Sequence, residues 1–193
     1  RPVVEAIDYP SLQAAIDAVP AEGGVVRLPP GKFEIAEPLV ISRGDVLLAG
    51  SGPATHIVNT NTAGESALVI RHPDFNADKP DRKLNLWRIQ VADLQITGNE
   101  KSGHGIEAHG INEIFIHGVT VSRHGTHGIL LDYCYEDPRV SDSLITYNKQ
   151  SGLEIVGCHD IVVCGNHFEE NLDALRCLDA YNLCMSGNNI DDH

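Results

Sequence analysis

Five side chains in the second half of the chain could together carry out proton chemistry: Glu107, His109, Asp132, Glu154 and Arg176. A base among them could remove the proton next to a substrate carboxylate, while a cation neutralises that carboxylate and an acid serves the leaving group. Asp132 with Glu107 or Glu154 offers instead the carboxylate pair of glycoside hydrolysis. A third interpretation is a solvated, charged sheet face on which no reaction occurs. The spacing of the surrounding apolar residues indicates whether the five residues meet.

That spacing is a repeat of about 23 residues. Pairs of a small and an apolar residue recur at steps of 23, 24 and 22 residues: Gly105-Ile106, Gly128-Ile129, Gly152-Leu153 and Ala174-Leu175. Between them, apolar and polar residues alternate over three to five positions, which predicts short strands, and no helical stretch intervenes. One such unit cannot bury its apolar face, whereas stacked units can. The repeat therefore predicts an all-β, parallel β-helix with 22–25 residues per coil.

Stacked coils predict two rows of outward side chains on one sheet. If the apolar residue of each pair points inward, the residues beside it point outward. The first row is then Glu107, Leu130, Glu154 and Arg176, and the second row is His109, Asp132, Val156 and Leu178. Neighbours in a row are separated by one coil, about 4.8 Å. All five candidate residues therefore share one face.

The chain is predicted to form a single domain, 1–193. Residues 1–24 form an N-terminal cap, in which 11–19 has the apolar spacing of an amphipathic α-helix. Residues 25–90 form irregular first coils with a polar insertion at 72–83 that projects as a loop, and 91–193 form regular coils. The last coil ends where the next small–apolar pair is due, so we expect a truncated C-terminus whose open strand edges favour self-association.

Asparagines recur at equivalent turn positions. Asn148 and Asn171 share one position of the repeat, and Asn166 and Asn188 share another. Stacked amides could hydrogen-bond along the axis. Asn also tolerates left-handed backbone in turns, so the pattern leaves both interpretations open.

The N-terminal segment resembles the entry of pectin-lyase-like right-handed β-helix proteins. The resemblance rests on the helix at 11–19, then Gly-Gly-Val-Val-Arg-Leu-Pro-Pro-Gly-Lys-Phe, and then Leu-Val-Ile-Ser-Arg-Gly-Asp-Val-Leu-Leu-Ala-Gly-Ser-Gly. The later Gly-Ile and Gly-Asn repeats resemble the coils of the same family. The family contains polysaccharide lyases, uronate epimerases, glycoside hydrolases and phage tailspikes. The resemblance implies a right-handed coil, a polysaccharide partner and an extracellular or periplasmic location.

The resemblance also implies which sheet binds sugar and which residues assist. In this family the sheet after the Gly-Ile turn lines the sugar-binding groove. Asp137-Pro138-Arg139 resembles the Tyr-x-x-Asp-Pro-His motif of alginate epimerases, with Arg139 where those enzymes have His. Tyr133 or Tyr135 could serve as the acid or as a sugar-stacking platform, and the predicted substrate-binding residues are Tyr133, Tyr135, Arg139 and Arg123. The leading prediction is a lyase or C5-epimerase; a glycoside hydrolase and a non-catalytic glycan-binding or structural β-helix are the alternatives.

Composition bounds the partners. The chain has 193 residues, and its formal net charge of −13 argues against nucleic acid and against anionic membrane surfaces. No run approaches the roughly 18 apolar residues that cross a bilayer, and no signal peptide is visible. The histidines lack a Cys or carboxylate at ligand spacing, so we predict no metal site in the protein itself. Ca²⁺ between acidic side chains and a substrate carboxylate is the one cofactor that the composition favours.

Overall fold

The computed structural model describes residues 2–193, which form three parallel sheets. Sheet A contains β1 (Val3–Glu5), β2 (Gly24–Arg27), β5 (Val46–Ala49), β8 (Leu86–Ala92), β11 (Ile111–His117), β14 (Arg139–Ser141), β17 (His159–Cys164) and β20 (Tyr181–Ser186). Sheet B contains β3 (Gly31–Ile35), β6 (Thr55–Asn59), β9 (Gln95–Thr97), β12 (Thr120–Ser122), β15 (Leu144–Thr146), β18 (His167–Glu169) and β21 (Asn189–Asp191). Sheet C contains β4 (Leu39–Ile41), β7 (Leu68–Arg71), β10 (Ile106–His109), β13 (Ile129–Asp132), β16 (Ser151–Val156) and β19 (Asp173–Leu178).

The chain winds as a parallel β-helix, because each coil contributes one strand to sheet C, then one to sheet A and one to sheet B. The small–apolar pairs stack as the repeat predicts: Ile106 pairs with Ile129, Ile129 with Leu153, and Leu153 with Leu175. The first three of these side chains are fully buried. The predicted fold class is therefore confirmed, and the core is the column of inward apolar side chains.

The N-terminal helix caps the stack, although it is shorter than predicted. Helix α1 covers Leu12–Asp17, and the hydroxyl of Ser11 caps it by accepting from the backbone N–H of Ala14. The prediction of 11–19 was too long at its C-terminal end, because Pro20 disfavours helical backbone at the residue before it. The Gln13 amide bonds both the N–H and the C=O of Val40 on β4, which satisfies the open edge of sheet C.

Three short 3₁₀ turns complete the ordered elements, at Ala6–Asp8, Gly52–Ala54 and Arg82–Leu84. The last of them ends the polar insertion between β7 and β8. Several apolar side chains of the final coil are exposed, namely Leu172, Leu178, Tyr181, Met185 and Ile190. Within 2–193, no helix has the length and hydrophobicity that crossing a bilayer requires.

Asparagine amides stack along the axis in both of the registers noted in the sequence. Asn148 Nδ2 donates to Asn171 Oδ1 at 2.8 Å, and Asn166 Nδ2 donates to Asn188 Oδ1 at 3.1 Å. The ladder also satisfies backbone groups, since Asn148 Oδ1 accepts from the N–H of His124 at 3.1 Å. Asn148, Asn166 and Asn171 are buried, so their amides supply the hydrogen bonds that water cannot provide inside the coil.

Replacing Asn148 by Ala should destabilise the fold by about 3 kcal/mol, because it leaves buried backbone groups without partners. The free energy of unfolding in urea measures this loss. Asn189→Ala, an exposed position on β21, is the matched control and should change stability by no more than about 0.5 kcal/mol. Equal losses in the two variants would contradict a stabilising role for the ladder.

Candidate functional site

The outward face of sheet C carries the predicted residues in the two predicted rows. On β10, Ile106 and Ala108 are buried, so Glu107 and His109 between and after them point outward. Strand pairing places His109 directly beside Asp132 on β13. Glu107 is separated from Glu154 by Leu130, and Glu154 pairs with Arg176. Stacking in register thus makes neighbours of His109 and Asp132 in one row and of Glu154 and Arg176 in the other.

His109 lies between two carboxylates. Its Nδ1 is 2.7 Å from Asp132 Oδ2, and its Nε2 is 3.6 Å from Glu107 Oε1. The side chains of His109, Asp132 and Glu107 are only 13%, 14% and 18% exposed. We call these three residues the imidazole triad. Partly buried charges on an outward face are costly unless they are paired, and here each ring nitrogen faces a carboxylate.

The electrostatics of the triad favour a charged imidazole. Burial alone would lower the pKa of His109, but the hydrogen bonds to Asp132 and Glu107 outweigh it and raise the pKa to about 9. Burial would likewise raise the pKa of Glu107, and the interaction with His109 reverses that effect and lowers it. His109 is therefore an imidazolium at neutral pH. It can donate a proton, and its positive charge can stabilise negative charge nearby.

Two other histidines form a stack beside the triad. The rings of His104 and His127 are 5.1 Å apart and nearly parallel, as their equivalent positions before Gly105 and Gly128 imply. His104 Nδ1 accepts from the backbone N–H of His127 at 3.3 Å, which leaves the proton of the neutral ring on Nε2, facing Glu107 at 3.7 Å. Burial lowers the pKa of His104 to about 4. One sheet edge thus holds both a neutral and a charged imidazole.

Glu154 and Arg176 form a separate group one coil beyond the triad. Glu154 is buried, accepts from the Ser151 hydroxyl at 2.7 Å, and lies 3.8 Å from both His127 and Arg176. The five residues therefore share a face, but only three of them converge on one point. Glu154 is therefore held in place by side chains of the protein itself, and the guanidinium of Arg176 is already paired with a carboxylate.

The insertion at 72–83 returns onto the site instead of only projecting from the coil. The ring of Phe75 lies 5.2 Å from the ring of His109, tilted by 36°. At the other end of the insertion, the guanidinium of Arg82 lies 4.2 Å above the ring of Tyr135. The insertion consequently walls the triad on one side and contributes to its burial.

The predicted substrate-binding residues do not all reach this face. Tyr133 directly follows β13, and Tyr135 lies past the corner towards sheet A, bridged to Asn112. Arg139 is on β14 of sheet A, and Arg123 follows β12 of sheet B and stacks on Tyr147 at 4.9 Å. The grouping of Arg139 and Arg123 with the triad was wrong, because a coil turns a corner within a few residues and nearness in sequence does not keep side chains on one sheet.

Two residues beside the triad were missed in the sequence. Ser66 donates to Glu107 Oε2 at 3.0 Å, and Arg71 on β7 pairs in register with His109. The signal for them is the pair Ala67-Leu68, which occupies the same position as Gly105-Ile106. It was hidden because the insertion lengthens the step from Leu68 to Ile106 to 38 residues, against 23 for the next step.

Two concavities lie away from the triad. One, of about 850 Å³, is at the N-terminal end between α1 and β3 and is lined mainly by apolar side chains and prolines. The other, of about 230 Å³, is on sheet A and includes Arg139 with Arg88 and Glu113. We place the candidate site at the triad because its paired titratable groups are mostly buried, whereas the Lys32–Glu34 ion pair that lines the N-terminal concavity is exposed. Across 2–193, no group of three or more His, Cys, Asp or Glu side chains is arranged to hold a metal ion.

The family model for right-handed β-helix regions matches residues 85–193, and the chain belongs to this family of right-handed parallel β-helices. No curated protein matches it in sequence.

Solved structures with the same fold come from several sources. Over 96% of its length, the chain is similar to ORF18 of Geobacillus virus E2, with a TM-score of 0.79 and 16% identity, and it spans 40% of that chain. It is similar to a candidate glycosyl hydrolase from Parabacteroides merdae, with a TM-score of 0.76, 11% identity and 97% of both chains covered. It also resembles the A-module of a mannuronan C-5 epimerase from Azotobacter vinelandii, with a TM-score of 0.65 and 18% identity over 95% of this chain and 64% of the other. At these identities the likeness establishes the fold.

The raised pKa of His109 makes stability depend on pH in a defined direction. The folded-state pKa of about 9 exceeds the ordinary value of 6.5, so protonated His109 stabilises the fold fully below about pH 6.5. This contribution is lost as the pH rises through 9. The difference in unfolding free energy between the wild type and His109→Gln should therefore shrink as the pH rises from 6.5, the ordinary pKa, through about 9, the pKa in the folded protein.

His104→Gln provides a comparison of opposite sign. The pKa of His104 lies below 6.5, at about 4, so its protonation opposes folding and the wild type should lose stability relative to this variant as the pH falls from 6.5 to 4. Urea unfolding across the pH range measures both differences. Parallel pH dependence in the two variants would contradict the opposed environments of the two rings.

Proposed function

We propose that this protein is a carbohydrate-active enzyme that acts on a uronate-containing polysaccharide, by lyase or C5-epimerase chemistry, at the outward face of sheet C. The observation that carries the proposal is the imidazole triad, in which Asp132 and Glu107 hold a charged His109 at a partly buried surface. Pairs of titratable groups with opposed environments are typical of acid–base catalysis.

The triad supplies the groups that such a reaction requires. Asp132 uses Oδ2 to bind His109, and its Oδ1 has no hydrogen-bond partner within 2–193, so it can accept the C5 proton of a uronate. Glu107 is less suited as the base because Ser66 and two histidines already contact it. In a lyase, the electron pair of the broken C5–H bond forms a C4–C5 double bond while the C4–O bond breaks. His109 can then protonate the departing oxygen.

Epimerisation begins with the same proton abstraction. A proton is then returned to C5 on the opposite face of the ring, and no C–O bond breaks. Both reactions develop negative charge on the substrate carboxylate, and a cation beside it lowers the barrier. The proposed activity is supported by one of the similar structures, which is the A-module of a mannuronan C-5 epimerase.

Hydrolysis of a glycosidic bond is the second candidate, and one observation favours it. Asp132 and Glu107 lie on adjacent coils of the same outward face, so a glycan bound along this face meets two carboxylates. A neutral glycan would also avoid repulsion from the net charge of −13. A relative described as a candidate glycosyl hydrolase supports this alternative. Under either activity the polymer substrate implies an extracellular or periplasmic location, and association through the exposed last coil stays a prediction.

The test is product formation from polymannuronate, polyguluronate, polygalacturonate and a neutral α-glucan, with and without Ca²⁺. A lyase raises the absorbance at about 235 nm through its new double bond, an epimerase exchanges the C5 proton with D₂O, and a hydrolase releases reducing ends. We expect one of the polyuronates to react and Asp132→Asn to lower the rate by about 100-fold or more.

Asp191→Asn, an exposed carboxylate on β21 of sheet B, is the charge-matched control and should retain full activity. If only the α-glucan reacts, the hydrolase alternative replaces the proposal. If every substrate stays unchanged, the enzyme proposal fails and the protein is a binding or structural β-helix. If Asp132→Asn is as active as the wild type, the protein is an enzyme whose reaction centre is not the triad.

A further inference from the structure

Arg71 is a cation at the edge of the imidazole triad. It ends β7, and its neighbour Ile70 is fully buried, so the alternation of the strand points Arg71 outward. Pairing between β7 and β10 sets Arg71 beside His109, one coil away. Arg71 is exposed, whereas the adjacent outward residue Val69 is buried.

The guanidinium of Arg71 has no carboxylate and no hydrogen-bond acceptor within reach in the part of the chain described, 2–193. The arginine one coil beyond the triad differs, because Arg176 lies 3.8 Å from Glu154. Arg82 in the insertion lies 3.6 Å from Glu136 and stacks on Tyr135. Of these three cations around the site, Arg71 alone keeps its charge free for a ligand.

The two carboxylates of the triad are already engaged. Glu107 accepts from the Ser66 hydroxyl and faces His104 and His109. Asp132 binds His109 at 2.7 Å. Neutralising Arg71 from within the protein would break these contacts, and the negative charges of the triad are balanced in part by the imidazolium. An incoming carboxylate therefore meets a cation without a competing internal partner.

We propose that Arg71 binds the carboxylate of the uronate at the reaction centre and thereby makes the site select acidic over neutral glycans. This inference rests on the proposed function and identifies the residue that sets its specificity. A guanidinium can hold a carboxylate through two parallel hydrogen bonds. With a net charge of −13, the protein repels polyanions at long range, so a local cation is needed to bind one.

The position of Arg71 also suits the reaction. Arg71 and Asp132 lie one coil to either side of His109, about 9.6 Å apart along the axis, so a uronate whose carboxylate is held by the long Arg71 side chain extends across His109 towards Asp132. As the C5 proton leaves, charge spreads onto that carboxylate, and the guanidinium stabilises it. Arg71 then acts on the substrate in both binding and turnover, while Asp132 and His109 move protons.

The experiment compares binding of hexagalacturonate, its fully methyl-esterified form and hexamannuronate by isothermal titration calorimetry. The variants are Arg71→Gln, Arg71→Lys and the charge-matched control Arg27→Gln, which lies on sheet A in an exposed ion pair with Glu5. Arg71 is exposed, so its replacement should leave the fold intact. The wild type should bind at least one acidic hexamer about tenfold or more tightly than the ester, a difference of about 1.4 kcal/mol.

In Arg71→Gln this preference should disappear, in Arg71→Lys it should be reduced, and in Arg27→Gln it should remain. The inference is overturned if Arg71→Gln keeps the preference, or if the wild type binds neither acidic hexamer. Other results distinguish a failure of the proposed enzyme function from a failure of the role of Arg71. Binding that depends on Arg71 with no turnover of any polyuronate would leave an acidic-glycan-binding site. Turnover that depends on Asp132 but not on Arg71 would leave the enzyme without this anchor.

Discussion

The whole structure depends on the in-register stacking of parallel coils. Backbone hydrogen bonds join each strand to the equivalent strand one coil later. Because the coils share one period, side chains that point into the core stack on one another, and so do side chains that point outward. A shift of one residue would exchange the two sets and bury the charged rows. The apolar column of Ile106, Ile129 and Leu153 fixes the register, and the contact between His109 and Asp132 is its consequence on the outer face.

Stacking also explains why one sheet edge holds two kinds of histidine. His109 lies between carboxylates of its own coil and the next, so its charge is paired and retained. His104 lies in the preceding turn, where its Nδ1 accepts a backbone N–H and a neutral neighbour stacks on it, so burial dominates. A repetitive backbone thus produces distinct proton affinities through small differences in the outward residues. Solved structures of the same fold likewise carry descriptions of different activities, since function depends on the outward side chains and not on the backbone fold.

The period and the alternation were sufficient to predict the fold, the pairing of the Gly-Ile strands and the shared face of the five residues. They could not predict that Glu154 and Arg176 form a separate group, because register fixes rows and leaves rotamers and local hydrogen bonds open. Arg71 and Ser66 were missed since an insertion interrupts the period before them. Arg139 and Arg123 were not placed beside the triad, because neither a short motif nor nearness in sequence indicates which sheet a side chain faces.

The placement of His109 between two carboxylates is tested by its pKa, measured by ¹⁵N NMR in the wild type, Glu107→Gln, Asp132→Asn and the double variant. We expect a pKa of about 9 in the wild type, a lower pKa in each single variant, and a pKa below 6.5 in the double variant, where only the effect of burial remains. A wild-type pKa near 6.5, or one that does not respond to either substitution, would contradict the placement of His109 between two carboxylates of stacked coils.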